Sequence, residues 1–272
     1  MPTSENSSHI VIQKVEALGR QTSLMVESIG FGASLLYEAG YWILLGRRKN
    51  QPVQLAPIAA QMMEIGIRAI PIIAVVSVTI GLMLAIQGID ALKDFGAEQQ
   101  VTLGVALSVV REFSPLITGI LIAGRSGAAL AARLSTMTIH QEVDALRVMG
   151  INPIRFIVVP NLIAMLIMLP ALTLLSDLIA LSGAGLYITT DLGISFDRYV
   201  LQIAQFVHVG DILHGLGKSV VFGMLITLVG VVNGSSVTGG AEGVGRVTTN
   251  SVVHSILAII LADLIIVFML TR

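Results

Sequence analysis

The sequence predicts an all-α protein embedded in a membrane, from its composition, its long apolar stretches and its loop charges. Of 272 residues, 54% are hydrophobic and only 12% are charged, and the mean hydropathy is +0.87. Soluble domains carry roughly 25% charged residues. Several apolar stretches reach the length of about 20 residues that a helix needs to cross a bilayer. A cytosolic enzyme and a disordered chain are therefore excluded.

Charge and residue usage exclude further classes of protein. The net charge is −1, so no basic field exists to attract nucleic acid. The chain has no cysteine, which excludes disulfides and thiolate metal sites. The triplet GKS at 217–219 is not a phosphate-binding loop, because that motif needs a glycine where Ile212 stands. We therefore expect no cofactor and no ATP site in this chain.

The first 64 residues differ from the rest and form one predicted region, followed by a five-span domain over 65–272. From Ile10 to Leu45 the pattern is helical, and Glu16, Arg20, Glu27 and Glu38 fall within about 40° of arc on a helix. This pattern favours an amphipathic helix lying in the membrane interface. The alternative is that 29–46 forms a sixth span, with Glu38 inside it.

Five segments are predicted to span the membrane: 65–87, 101–124, 156–187, 212–232 and 251–270. The third is long and contains Pro160 and Pro170, which predicts a tilt, a kink or an extra helical piece. Pro115, one turn after Glu112, is expected to bend the second span and free backbone carbonyls there.

The distribution of Lys and Arg predicts that the N-terminus is cytoplasmic and the C-terminus faces the other side. The positive side chains on the predicted cytoplasmic side are Lys14, Arg20, Arg47, Arg48, Lys49, Arg68, Arg125, Arg133, Arg147, Arg155 and Arg246. Those on the opposite side are Lys93, Arg198 and Arg272.

Two cytoplasmic connections follow from this topology. The segment 135–149 is predicted to be one short helix, with Met137, Val143, Leu146 and Met149 toward one side and Gly150 as its terminator. It is either a simple connection or a docking helix for a cytoplasmic partner. The glycine-rich stretch 234–248 is expected to be a flexible connection.

Five charged residues fall inside the predicted spans. Each would cost about 2.5–3.5 kcal/mol at the bilayer centre, so we expect them to face one another or a wet cavity. They are Arg111, Glu112, Asp177, Lys218 and Asp263. One interpretation is a structural network of ion pairs, and the other is a polar lining that receives a zwitterionic or anionic headgroup. Gln87 and Leu84 could line an acyl-chain cavity beside it, although span residues more often face lipid or another helix.

Small residues are concentrated at two places. Gly230 and Gly234 form a GxxxG pair, and glycines and alanines crowd the inner end of the second span. Such residues let helices approach closely. The sequence leaves open whether this packing lies within one chain or between two copies.

Several blocks resemble one known family. They are REFSPLITGILIAGRSGAALAARLSTM (111–137), QEVDALRVMGINP (141–153), KSVVFGMLITLVGVVNG (218–234) and RVTTNSVVHSILAIILAD (246–263). These blocks resemble the MlaE/YrbE family of ABC transporter permeases, which act in lipid transport. Asp144-Ala145-Leu146 followed by Gly150 is similar to the loop with which such permeases contact their ATPase, although Leu146 departs from that pattern.

The resemblance implies a homodimer of five-span subunits in the inner membrane. It implies a separate ABC ATPase, which would bind ATP and Mg²⁺, and a periplasmic MCE-domain protein. It implies phospholipid as the substrate, moved between the inner and outer membranes. The family pattern is polar at the positions that match Arg111, Glu112, Lys218 and Asp263. If these charges receive a headgroup, we expect Arg111 and Lys218 to meet the lipid phosphate and Glu112 and Asp263 to hold them. The residues that the resemblance assigns to ATPase coupling are Glu142, Asp144, Ala145, Leu146 and Gly150.

Two other classes of function compete with this interpretation. A self-sufficient secondary transporter or channel could use the intramembrane charges as an ion or proton relay. Against it, no inverted repeat is evident and five spans do not divide into two halves. The second competing class is an intramembrane enzyme. Against it, the sequence shows no recognisable nucleophile and no His–carboxylate pair at a helical spacing within one span.

Overall fold

The computed structural model describes residues 30–46 and 54–270, which are almost entirely helical. The helices are α1 (30–45), α2 (Leu55–Ile65), α3 (Ile70–Lys93), α4 (Val101–Ser108), α5 (Ser114–Ile122), α6 (Ala128–Ile139), α7 (Glu142–Val148), α8 (Val159–Leu192), α9 (Phe196–Phe206), α10 (Val209–Ser235) and α11 (Gly240–Leu270). No strand occurs in these two ranges. The predicted all-α class is confirmed.

Five continuous helical segments are long and apolar enough to cross a membrane. They are Leu55–Lys93, Glu98–Ile139, Ile154–Leu192, Val209–Ser235 and Gly240–Leu270, named here spans one to five. Their number agrees with the prediction, so the chain is a multi-pass membrane protein. Each span is longer than predicted, because the helices continue past the purely apolar residues on which the prediction rested.

Span two shows this extension most clearly. The sequence predicts an end near Gly124, yet the helix continues to Ile139. Two π-helical turns interrupt its regular hydrogen bonding, at Val109–Phe113 and Ala123–Gly127. Such turns insert an extra residue and often lie at functional sites. The first lies just before Pro115 and includes Glu112, while the bend expected at Pro115 stays a prediction.

Span three forms the centre of the bundle. It is the most buried of the five spans, whereas span five is the least. It packs most extensively on α3, where Gly81 lies against the backbone of Ala180 and Gly183 against Val78. A side chain at either glycine would overlap the facing backbone. This contact therefore depends on small residues.

The GxxxG pair packs within the chain. Cβ atoms placed on Gly230 and Gly234 would lie 3.3 Å and 3.0 Å from the carbonyl oxygens of Gly127 and Ala131. Span four thus lies directly on the C-terminal half of span two. This contact explains why span two remains helical beyond Gly124, since its small residues are buried against a neighbour.

Helix α1 lies against the bundle. Ala39 is buried in a cluster with Val159 and Leu162 of span three, while Trp42 packs at its edge. The Glu38 carboxylate accepts a hydrogen bond of 2.7 Å from the Asn152 amide. Glu38 therefore has a polar partner outside its own helix. Glu16, Arg20 and Glu27, which the interfacial prediction also used, lie outside the described residues.

The predicted single helix over 135–149 is wrong. Helix α6 ends at Ile139, Gln141 takes a left-handed conformation with φ 56°, and α7 begins at Glu142. The break turns α7 back onto the bundle, where Leu146 is buried in a cluster with Leu130 and Leu134. A continuous helix would carry Leu146 away from this cluster.

The end of α7 follows the prediction. Gly150 has φ +75° and donates to the Arg147 carbonyl, while Ile151 donates to the Leu146 carbonyl. These two bonds form the Schellman motif that a glycine terminator favours. Met149, predicted on the same side of the helix as the buried Leu146, is 64% exposed.

Two further segments differ from the prediction. The glycine-rich stretch 234–248 is mostly helical, because α11 already begins at Gly240. Between spans three and four lies the helix α9, whose Tyr199 is buried and donates a hydrogen bond of 2.8 Å to the Leu181 carbonyl. Ser195 caps this helix by accepting from the Arg198 backbone amide.

Candidate functional site: a charged cluster between spans two, four and five

A buried lysine forms the centre of the candidate site. The Lys218 side chain is completely buried, and its Nζ lies 2.9 Å from the Asp263 carboxylate. The same Nζ forms an ion pair with Glu112. Spans four, five and two each contribute one of these side chains. The predicted grouping of Glu112, Lys218 and Asp263 is therefore present in the structure.

Arg111 is held by a different carboxylate. Its Nε donates a hydrogen bond of 2.7 Å to Asp211 at the start of α10. Asp211 also accepts a 2.8 Å bond from the His208 backbone amide, which forms a capping box at the start of that helix. The carboxylate is thus fixed from its own helix and presented to span two.

The first π-helical turn determines how these charges are placed. It contains both Arg111 and Glu112, so two adjacent residues point to two different partners. Gly215 of span four lies against the carbonyl oxygen of Val110 in this turn. Any larger residue there would separate the two helices and lengthen the ion pairs.

The cluster contains more negative than positive charge. Two cations, Arg111 and Lys218, face three carboxylates, those of Glu112, Asp211 and Asp263. Lys218 has no exposure, while 47% of the Arg111 side chain and 38% of the Glu112 side chain are exposed. Arg111 and Glu112 are therefore the members best placed to meet a ligand in this conformation. Lys218 and Asp263 lie deeper in the bundle, where Lys218 forms ion pairs with both Asp263 and Glu112.

Asp177 does not join the cluster. It is buried in span three and forms no ion pair within the described part of the chain. One of its carboxylate oxygens has no hydrogen-bond partner among those residues. Asp177 is therefore the one of the five predicted intramembrane charges that forms no ion pair with a described residue, and Asp211 occupies the position beside Arg111.

The predicted cavity residues lie in the C-terminal half of span one. Gln87 is exposed on α3. Leu84 is partly buried and packs against the cluster that contains Val105 and Val109. Val109, a member of this cluster, begins the π-helical turn that carries Arg111. Whether lipid chains reach Gln87 and Leu84 stays a prediction.

Sequence reasoning missed two neighbours of the site. The predicted fourth span begins at 212 and leaves Asp211 just outside it, whereas Asp211 lies in the first turn of span four. His214, one helical turn further on, is partly buried, and its Nε2 has no hydrogen-bond partner among the described residues. The capping position of Asp211, three residues after His208, was the available signal.

The opposite end of the bundle carries α7, where the sequence predicts coupling to an ATPase. Leu146 anchors the helix inward. Glu142, Asp144 and Ala145 are exposed, as is Gly150 beyond the helix end. Val148 is the most exposed large apolar residue there, at 89%. The geometry thus presents a short helix with a free outer face on a buried anchor.

Comparison with known proteins agrees with this architecture. The family model described as Permease MlaE matches residues 58–269. A probable ABC transporter permease protein of Rickettsia typhi is 32% identical over 94% of this chain and 96% of its own length. The intermembrane phospholipid transport system permease protein MlaE of Haemophilus influenzae is 30% identical over 94% of this chain and 97% of its own length.

A plant protein is similar over a shorter part. The chloroplastic protein TRIGALACTOSYLDIACYLGLYCEROL 1 of Arabidopsis thaliana is 34% identical over 75% of this chain and 59% of its own length. Together, the five-span fold and these similarities define a permease subunit of the ABC transporter class. Within that class, the chain belongs to the MlaE permease family.

Proposed function

We propose that this chain is the membrane subunit of an ABC-type transporter that moves phospholipid between the inner and outer membranes. The observation that carries the proposal is the pair Arg111 and Glu112, partly exposed inside a membrane span and supported by buried counter-charges. The relative from Haemophilus influenzae, named for intermembrane phospholipid transport, supports the choice of substrate.

The charge pattern fits a lipid headgroup. The Arg111 guanidinium can donate to phosphate oxygens in a planar fork, because only part of its donor set is used by Asp211. Glu112 can accept from or attract a headgroup ammonium. Fixing both side chains in advance lowers the entropy lost when a headgroup binds.

We also propose the transporter's other components and their positions. An ABC ATPase binds α7, and ATP and Mg²⁺ bind that partner rather than this chain. Two copies of the chain enclose the lipid cavity, and an MCE-domain protein lies on the periplasmic face. The positive loops predict that α7 is cytoplasmic, with the N-terminus on the same side and the C-terminus periplasmic. ATP-driven movement of α7 shifts the spans and displaces the lipid.

The first experiment tests lipid binding at the charged site. Tagged protein is purified in mild detergent, and the phospholipid that co-purifies is quantified by mass spectrometry. Arg111→Ala should reduce the bound phospholipid several-fold. Arg198→Ala is the control, because it removes an exposed arginine from α9 without touching the cluster. Unchanged lipid with lower thermal stability would show that the charges act only as a structural network.

The second experiment tests coupling. Val148→Asp places a charge on the exposed face of α7, so it should abolish co-purification of the ATPase while the thermal stability of the permease stays unchanged. Val148→Leu keeps the apolar surface and should retain the partner. A homo-oligomer that lacks an ATPase under conditions that preserve ABC complexes would instead favour a self-sufficient transporter.

A further inference from the structure

A polar cleft lies at the α7 end of the bundle and is separated along span two from the charged cluster. Its volume is about 420 Å³, within the roughly 300–1,000 Å³ range of ligand pockets. It lies between α2, the second π-helical turn, α6 and the start of span three. The polar residues that line it are Gln61, Glu64, Arg125, Ser126, Arg133 and Asn161.

The cleft carries an excess of positive charge. Arg125 donates a hydrogen bond of 3.0 Å to the Glu64 backbone carbonyl and lies 3.7 Å from its carboxylate. Arg68 pairs with the same carboxylate. Arg133 forms no ion pair with any described residue. The lining thus holds two arginines and one glutamate, whose carboxylate is already shared with Arg68 outside the lining.

Two buried polar side chains line the inner wall of the cleft. Asn161 is only 6% exposed, and its side-chain amide donates a hydrogen bond of 2.7 Å to the Ile157 carbonyl. Ser126 is also buried and lies in the π-helical turn beside Arg125. These groups can accept hydrogen bonds from, or donate them to, a small ligand that enters between the arginines.

Helix α2, which lines one side of the cleft, and the residues that follow it also expose apolar side chains. Met63 on α2 is 59% exposed, and Ile67 just beyond it is 56% exposed. A ligand held here would therefore have a charged end among the arginines and an apolar part along α2. Basic pockets between membrane helices are typical sites for anionic lipid headgroups.

We infer that this cleft binds the phosphate-bearing headgroup of an anionic phospholipid from the membrane leaflet at the α7 end. Arg133 and Arg125 donate to the phosphate, and the acyl chains lie along Met63 and Ile67. This site is separate from the charged cluster around Lys218. A lipid bound there would contact α2 and the part of span two that leads into α7.

The test measures lipid binding to the purified full-length chain by native mass spectrometry. The probes are dioleoyl phosphatidylglycerol, dioleoyl phosphatidylcholine and inorganic phosphate, each titrated separately. Hydrogen bonds to charged groups contribute enough to change an affinity about tenfold or more. Arg133→Ala should therefore weaken phosphatidylglycerol binding about tenfold and leave phosphatidylcholine binding unchanged. Arg125→Gln should act in the same direction.

Arg246→Ala is the matched control, because it removes an exposed arginine at the same end but outside the cleft. It should leave phosphatidylglycerol binding within about twofold of the unaltered chain. Arg111→Ala acts at the transport site proposed above, so it should lower phosphatidylglycerol and phosphatidylcholine binding alike and leave the Arg133-dependent preference for phosphatidylglycerol intact, which separates the two sites. Failure of that proposal would not alter this result.

Two outcomes would overturn the inference. Unchanged phosphatidylglycerol binding in the combined Arg125→Gln and Arg133→Ala variant would show that the cleft holds no anionic lipid. Binding of inorganic phosphate that depends on Arg133, without any preference for phosphatidylglycerol, would show that the ligand is a free anion. A thermal scan of each variant verifies that the fold is retained, as expected for Arg133, which is exposed.

Discussion

Removing the buried cation of the charged cluster should destabilise the protein strongly. Lys218→Met keeps the length of the side chain but leaves the Glu112 and Asp263 carboxylates facing each other without a counter-charge. Lys218 is completely buried, and only 15% of the Asp263 side chain is exposed, so water cannot replace the ammonium. Breaking a buried ion pair from one side costs about 3–5 kcal/mol.

Thermal unfolding in detergent, followed by far-ultraviolet circular dichroism, measures this loss. Each kcal/mol shifts the melting temperature by roughly 2–4 °C in chains of 150–250 residues, so we expect a decrease of roughly 6–20 °C. The control is Arg147→Met, which breaks the Asp144 pair on α7. Both of its side chains are about two-thirds exposed, and surface pairs contribute roughly 0–1 kcal/mol.

A double-mutant cycle with Asp263→Asn isolates the direct interaction. If Lys218 and Asp263 stabilise each other, the combined variant should lose less than the sum of the two single changes. Groups in contact usually differ from additivity by about 0.5–3 kcal/mol. A melting temperature for Lys218→Met within about 3 °C of the unaltered chain, comparable to one kcal/mol, would refute the buried network.

Three further substitutions test the packing. Gly81→Ala places a methyl group against the backbone of span three and should cost about 1–3 kcal/mol, whereas Gly104→Ala, which meets nothing within 4 Å, should change the melting temperature little; equal losses would contradict the close approach. Gly150→Ala forces a side chain into φ +75° and should cost about 1 kcal/mol, with a neutral result arguing against the Schellman end of α7. Burial raises the pKa of the Tyr199 hydroxyl, so its neutral form favours the fold and stability should fall as pH rises above the unfolded value of about 10. Tyr199→Phe should remove that part of the alkaline decrease in melting temperature, and identical pH profiles would disprove it.

Much of the local structure could be predicted from the residues alone. Apolar length determined the number of spans, because a helix in lipid must satisfy its own backbone hydrogen bonds. Gly150 determined where α7 ends, because a left-handed residue there needs no side chain. The intramembrane position of Glu112, Lys218 and Asp263 predicted that they would meet, since isolated charges in a membrane are costly, whereas Arg111 pairs with Asp211 instead.

Only the tertiary structure decided which charges meet. Asp211 lies 100 residues from Arg111 in sequence, and its role depends on how spans two and four are rotated and how closely Gly215 lets them approach. The same holds for the turn at Gln141, which local propensity does not favour and which burial of Leu146 stabilises. Local sequence determines which segments become helices, because helical hydrogen bonds join residues four apart. The partners across helices depend on packing between distant segments, and that packing has no signature within either one.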